Sequence, residues 1–327
     1  MKKIAVLTSG GDAPGMNACI RAVVRGCLYY KIEVVGVVRG YDGMINGHFI
    51  PLDGNSVSNI IQKGGTILKS ARSDEFRTPE GRAKAAAQLK KHGIEGVVAI
   101  GGNGTFTGAQ LLCNEHGIKT VGCPGTIDND LFGTDFTIGY DTAVNTALDA
   151  IDKIRDTADA HDRIFFIEVM GRDTGYIAVQ TGIGGGAELV VMPEIKINTK
   201  NIIKRLSESA VHTKSSHMVV VAEGDKEMSA QVISDSVQKA LPSLDCRVTT
   251  LGHIQRGGSP TAADRVLASR LGLGAVEGLL AGKTNVMAGV INKNIVYTSF
   301  DECITKKKPI TKELKRLVEV LSGRNYS

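Results

Sequence analysis

No apolar run in this sequence approaches the length of a membrane span, so no spanning helix is expected. The opening Met1-Lys-Lys-Ile-Ala-Val-Leu7 has the basic-then-apolar order of a leader. It stops at Thr8-Ser-Gly-Gly-Asp12, too soon for the apolar region of a signal peptide, and reads better as a first β-strand. No dense basic block interleaved with aromatics occurs. With 39 basic and 34 acidic residues the net charge is only +5, which suggests no nucleic-acid partner and suits small anionic substrates. The six cysteines (19, 27, 113, 123, 246 and 303) contain no CxxC pair and sit mostly in apolar segments. They read as reduced core thiols of a cytoplasmic protein, not as a metal cluster or disulfide framework. No low-complexity linker separates one part of the chain from another.

What the sequence does have is glycine, 39 residues of it, in a chain of 327 that is 42% hydrophobic. That is enough for a large core and for two domains. Apolar strand-like runs alternate with amphipathic ones throughout. Strands are expected at 3–9, 33–38, 97–100, 119–123, 164–170, 188–192, 217–223 and 247–251. Helices are expected from about 16 to Tyr30, at 56–61, 79–92, from the 101–108 turn to about 115, and at 142–156, 199–211, 229–240, 262–281 and 311–321. Residues 39–43 read as a loop, 44–53 as a small hairpin, and the tail as two further short strands. The alternation predicts an α/β protein of two doubly wound domains, with mainly parallel sheets covered by helices.

Five of the strand ends carry glycine beside polar or charged residues: 10–17, 101–108, 124–130, 170–175 and 252–258. Pro124-Gly-Thr-Ile-Asp-Asn-Asp130 is the most informative. Two carboxylates two residues apart suit phosphate chemistry, one taking a proton from an attacking hydroxyl and the other holding a metal or orienting a sugar. Alone, the segment reads better as a surface turn, and the rest of the chain reverses that preference. Gly10–Asn17 and Gly101–Gly108 are strand–turn–helix units that present backbone N–H groups to an anion. Neither is a Walker loop, because no Gly-Lys-Ser/Thr follows, and neither has dinucleotide-fingerprint spacing.

Together, Leu7-Thr-Ser-Gly-Gly-Asp-Ala-Pro-Gly-Met-Asn17, Pro124–Asp130, Glu168-Val-Met-Gly-Arg172 and Gly252-His-Ile-Gln-Arg-Gly-Gly-Ser-Pro260 closely resemble the bacterial tetrameric type of ATP-dependent 6-phosphofructokinase, over nearly the whole chain. The resemblance implies phosphoryl transfer from MgATP to the 1-hydroxyl of fructose 6-phosphate. Asp128 would be the base, with Thr126 and Asp130 beside it. Gly11 would present its N–H to the transferring phosphoryl, and Arg172 would steady the transition-state charge. Tyr41, Arg72, Ser73, Arg77, Gly102, Asn103, Gly104, Thr105 and Gly108 would line the nucleotide and its Mg²⁺. Met170, Gly171, Glu223, His253 and Arg256 would hold the sugar. Arg163 and Arg247 would reach the 6-phosphate from a neighbouring subunit of a homotetramer. Arg21, Arg25, Arg155, Glu188 and Lys214 match an effector site for ADP or phosphoenolpyruvate. The implied domains are 1–139 with about 252–305, nucleotide-binding, and 140–251 with about 306–327, sugar-phosphate-binding.

Glycine at 104 and 125, where pyrophosphate-using relatives carry Asp and Lys, favours ATP as donor. Three departures stand out. Asn103 replaces the Asp that helps bind Mg²⁺, which loses a negative charge beside a hard cation. This leaves open a weakened enzyme, a sugar-phosphate-binding regulatory paralogue, or restoration of the acid by deamidation at Asn103-Gly104. Ser73 replaces a Phe near the adenine. Gly54 and His212 replace cationic effector contacts, so regulation is expected to be blunted.

Overall fold

The computed structural model describes residues 1–161, 163–211 and 217–321. In chain order the strands are β1 (Lys3–Thr8), β2 (Glu33–Val37), β3 (Phe49–Pro51), β4 (Gly96–Gly101), β5 (Lys119–Pro124), β6 (Arg163–Val169), β7 (Leu189–Val191), β8 (His217–Ala222), β9 (Asp245–Thr250), β10 (Val286–Ile291) and β11 (Asn294–Ser299). The helices are α1 (Met16–Tyr29), α2 (Gly40–Ile45), α3 (Pro79–Lys91), α4 (Asn103–His116), α5 (Tyr140–His161), α6 (Tyr176–Gly184), α7 (Thr199–Val211), α8 (Ala230–Ala240), α9 (Ala262–Leu280), α10 (Phe300–Thr305) and α11 (Lys312–Leu321). None is long and apolar enough to cross a membrane.

The chain forms two compact units. Unit 1 comprises Met1–Thr142 and Arg256–Lys308, and unit 2 comprises Ala143–Gln255 and Pro309–Ser327. Unit 1 holds a seven-stranded sheet in the order β11-β10-β5-β4-β1-β2-β3. Its inner strands run parallel, and antiparallel β3 and β11 close the two edges. Unit 2 holds a four-stranded parallel sheet, β7-β8-β6-β9. The α/β class with mainly parallel sheets is as the alternation predicts. β1 and β4 are buried along almost their whole length, as strands covered on both faces must be.

The core of unit 1 gathers Leu7, Val37, Phe106, Leu112, Met287 and Phe300. Phe106 and Phe300 stack at 5.0 Å. Gly122 in β5 makes room for them, because a Cβ there would lie 2.5 Å from Phe106 and 2.7 Å from Phe300. In unit 2, Phe166, Val191, Leu206, Val219 and Ile233 form a separate core.

The departures from the sequence reading have local causes. Residues 40–45 are helical, in place of the loop expected over 39–43, because Arg39 and Gly40 take left-handed backbone and redirect the chain. The expected hairpin at 44–53 reduces to the single strand β3, and 56–61 forms successive turns without a helix. Two further helices escape the periodicity. α6 is apolar nearly all round, and α10 is only six residues long. α5 runs past both expected ends.

Candidate active site

In unit 1 the chain leaves β1 toward β2 on one side, whereas β4 pairs with β1 on the other. Such a switch point opens a crevice at the strands' carboxyl ends, the usual ligand position in open α/β sheets. Three of the glycine turns start there. Gly10, at φ +84°, follows β1, and its carbonyl accepts from the Ser70 hydroxyl at 2.9 Å. Thr105 Oγ1 donates to the Ser9 carbonyl at 3.1 Å, and the Gly125 N–H donates to the Gly101 carbonyl at 2.9 Å. The ends of β1, β4 and β5 are thereby laced side by side. Asn17 on α1 secures the loop that leads to Arg72. Its Nδ2 donates to the Lys63 and Gly64 carbonyls and its Oδ1 accepts from the Ile67 N–H.

Gly11 is exposed, and a Cβ there would lie 1.9 Å from Arg256 Nη1. Arg256 therefore stands over the first glycine turn, in unit 1. The other expected sugar-side residues, Met170, Gly171, Arg172, Glu223, Arg247 and His253, belong to unit 2. Arg256 Nε is buried without a hydrogen-bond partner.

α4 begins at Asn103 with Gly102 as its cap residue and no side-chain cap. α3, α8, α9 and α10 are all capped by Thr or Ser hydroxyls. Free N–H groups at a helix start attract anions. Asn103 Nδ2 donates to Asp130 Oδ2 at 3.1 Å, while Asn103 Oδ1 is buried with no partner. The residue thus links the second glycine turn to the acidic one and aims a bare oxygen inward. Asn103 is the first residue of α4, so the Asn103–Gly104 bond lies in helical backbone, which must unwind before a succinimide can close. A Cβ on Gly104 would meet nothing within 4 Å, but one on Gly125 would lie 3.0 Å from Ile100 and Met16. Asp128 is 6% exposed, and its N–H donates to Thr126 Oγ1 at 3.2 Å. Asn129, between the two acids, has φ +52°.

Tyr41 is buried. Its hydroxyl donates to the Thr105 carbonyl at 2.6 Å, and its ring stacks on Phe76 at 4.0 Å. Gly108 is glycine because a Cβ would lie 2.9 Å from Tyr41 and 3.0 Å from Phe76. The sequence reading missed Phe76, which supplies an aromatic three residues beyond Ser73. Ser73 Oγ accepts from the Phe76 N–H at 3.3 Å. Buried Arg82 anchors this segment by donating to the Phe76 and Arg77 carbonyls while pairing bidentately with Glu115. Arg72 and Arg77 are exposed.

In unit 2 the carboxyl end of β6 meets that of β8. Gly171 and Arg172 donate their N–H groups to Glu223 Oε1 at 3.3 and 3.1 Å. The Met170 N–H donates to Gln255 Oε1 at 3.1 Å. Arg172 has φ +53°, and His253 is exposed. Arg163 and Arg247 are elsewhere. Arg163 opens β6 opposite Asp245 of β9, and both arginines bond that one carboxylate. Seven residues of extended chain separate Arg163 from Met170, about 23 Å. The two arginines therefore do not join the Met170–Glu223 cluster of their own unit. Asp245 and Gln255 were not foreseen; an acid two residues before an arginine was the only hint of the first.

Of the expected effector residues, Arg21 and Arg25 lie one turn apart on α1. Arg155 donates to the Gly185 carbonyl, and Glu188 accepts from the Met218 N–H. A Cβ on Gly54 would meet only Leu28, at 3.9 Å, an ordinary van der Waals contact. Lys214 and His212 lie outside the described residues.

Residues 3–279 match the family described as Phosphofructokinase. An ATP-dependent 6-phosphofructokinase from Cytophaga hutchinsonii is 68% identical over 100% of this chain and 99% of its own. ATP-dependent 6-phosphofructokinase 1 from Thermus thermophilus is 56% identical over 98% and 100%. Among solved structures, phosphofructokinase from Saccharomyces cerevisiae superimposes with a TM-score of 0.87 at 33% identity; it covers all of this chain, which spans 47% of the yeast chain. A pyrophosphate-dependent phosphofructokinase from Marinobacter aquaeolei, at 23% identity and a TM-score of 0.84, shares the fold. With the strand-end turns in place and the likeness running end to end, the chain belongs to the phosphofructokinase family.

Proposed function

We propose that this protein is an ATP-dependent 6-phosphofructokinase, moving the γ-phosphoryl of ATP to the 1-hydroxyl of fructose 6-phosphate in glycolysis, in the cytoplasm. The carrying observation is the Asp128–Asn129–Asp130 turn, its first two residues buried, tied through Asn103 to the uncapped start of α4. Asp128 takes the proton of the attacking hydroxyl. Thr126 and Asp130 flank it. The N–H groups of Gly11 and of the α4 start receive phosphoryl oxygens, and Arg72 and Arg172 offset the charge that spreads over them. Met170, Gly171, Glu223 and His253 hold the sugar, with Arg256 beside Gly11. Arg163 and Arg247 serve the 6-phosphate held by a second copy of the chain, in line with a homotetramer.

Mg²⁺ favours few protein ligands, several waters and phosphate oxygens. The residues present fit that pattern. Among the described residues no group of three or more His, Cys, Asp or Glu forms a cage, while Asn103 Oδ1 is buried and unpartnered beside the phosphate-binding turn. When bound, the ion would neutralise charge on the nucleotide phosphates.

The open space at Gly104 supports ATP over pyrophosphate as donor, and so do the names of the relatives. The readings as an impaired regulatory paralogue or a pyrophosphate enzyme are not favoured. Regulation by ADP or phosphoenolpyruvate is expected to be weak, given Gly54. The test is steady-state phosphorylation of fructose 6-phosphate with MgATP and with magnesium pyrophosphate, for the chain and for Asp128→Asn. Turnover with MgATP alone, reduced by on the order of 10³-fold or more in Asp128→Asn, supports the reading. Turnover only with pyrophosphate, or an unaffected Asp128→Asn, overturns it.

A further inference from the structure

Asn129 sits between the base and the second carboxylate in the left-handed region, at φ +52°. Asparagine tolerates that conformation better than other residues with a side chain, and bonds from its surroundings enforce it here. The enforcement comes from the last residues of unit 1. After α10 the chain runs back along the 129–135 loop as Lys306-Lys307-Lys308, and each lysine engages it. Lys306 Nζ lies 5.1 Å from the Phe132 ring centre. Lys307 pairs antiparallel with Leu131 through the backbone. Lys308 Nζ donates to Asn129 Oδ1 at 2.9 Å and to the Asp135 carbonyl at 2.6 Å. Asn129 Oδ1 also accepts from the Thr137 N–H at 3.1 Å, and Asn129 Nδ2 donates to the Asp135 carbonyl at 3.4 Å. One ammonium thus ties Asn129 to the Asp135 end of the loop.

We propose that Lys308 is a positioning residue for phosphoryl transfer, holding Asn129 in its left-handed turn so that Asp128 and Asp130 keep their relative direction. Its hydrogen bonds to the Asn129 amide oxygen and the Asp135 carbonyl tie it to the loop between the acids, so it acts through Asn129. Burial draws the ammonium down to about 8, with Asp135 and Asp130 drawing it the other way, so it remains mostly charged at neutral pH. Arginine has the donors to span both acceptors; methionine has the length and none.

The inference rests on the kinase reading above, and its test separates the two. Lys308→Met, Lys308→Arg and the parent chain are compared in kcat, in KM for fructose 6-phosphate and MgATP, in melting temperature, and in amide exchange over residues 128–137. In Lys308→Met, kcat is expected to fall on the order of 10- to 100-fold with both KM values within about twofold. Exchange of the 128–137 amides should quicken, and Lys308→Arg should return kcat to within about threefold of the parent. Three results would overturn the proposal: an unchanged kcat in Lys308→Met, a parallel loss of KM and melting temperature that Lys308→Arg does not repair, or unchanged exchange in the loop. A parent chain without turnover would sink the kinase reading instead, and the exchange result would still decide what Lys308 does to the loop.

Discussion

Asn103 carries the sharpest residue-scale question, because one atom decides it. Its amide nitrogen holds Asp130, and its buried oxygen has no hydrogen-bond partner. Asn103→Asp adds a charge there and removes the donor to Asp130. We expect Mg²⁺–nucleotide affinity to rise about 10-fold by titration calorimetry, and a smaller gain in kcat because Asp130 is loosened. Equal affinity for the two forms would show that the amide oxygen does not face the ion. Peptide mass spectrometry of aged, folded protein should find Asn103 unmodified, whereas unfolded chain should deamidate at that Asn-Gly pair. Gly11→Ala is a second residue-scale case. The added Cβ meets the far end of a flexible Arg256, so kcat should fall at least 10-fold while the melting temperature moves little. The acidic turn and its neighbours were legible in the sequence because short motifs carry their chemistry in residue type. Phe76, Asp245 and Gln255 were not, because what they do depends on partners distant in sequence.

At the scale of elements, α3 and α4 are joined by Arg82 and Glu115, which also fasten the carbonyls of 76 and 77. Arg82→Met leaves those acceptors and Glu115 without their donor and should cost about 2–3 kcal/mol in urea unfolding. The hydrogen bond from Arg82 holds the Glu115 carboxyl below the ordinary carboxylate range. Its stabilisation is complete above the unfolded value, about 4.3, and is lost as pH falls through the folded one. Acid unfolding of the parent should therefore be steeper than that of Arg82→Met. Lys308 has the opposite sign. Its folded value, about 8, lies below the unfolded one, so its ammonium opposes folding at neutral pH. Stability should rise between about pH 8 and 10.4 in the parent, and Lys308→Arg should lack that rise. Periodicity located the elements that bury one stripe or alternate along a strand. It missed α6, which is apolar on every side, and read 39–43 as a loop because Gly40 and Gly43 look like turn residues.

For the whole molecule, alternating strands and helices specified the class, and glycine at strand ends marked where chemistry gathers. Strand order is set by crossovers that leave little trace in local sequence, so the antiparallel edges β3 and β11 emerged only from the fold. The placement of Arg163 at the start of β6 and of Arg247 two residues into β9, both on Asp245, bears on how a working enzyme is put together. If those arginines serve a second copy, two defective proteins can repair each other. Asp128→Asn alone and the double variant Arg163→Ser with Arg247→Ser should each be nearly inactive. Co-expressed in equal amounts, they should recover about a quarter of parental activity, since half of the pairings are mixed and one site of each mixed pair draws both intact halves. A chain that furnished its own arginines would gain nothing from such company.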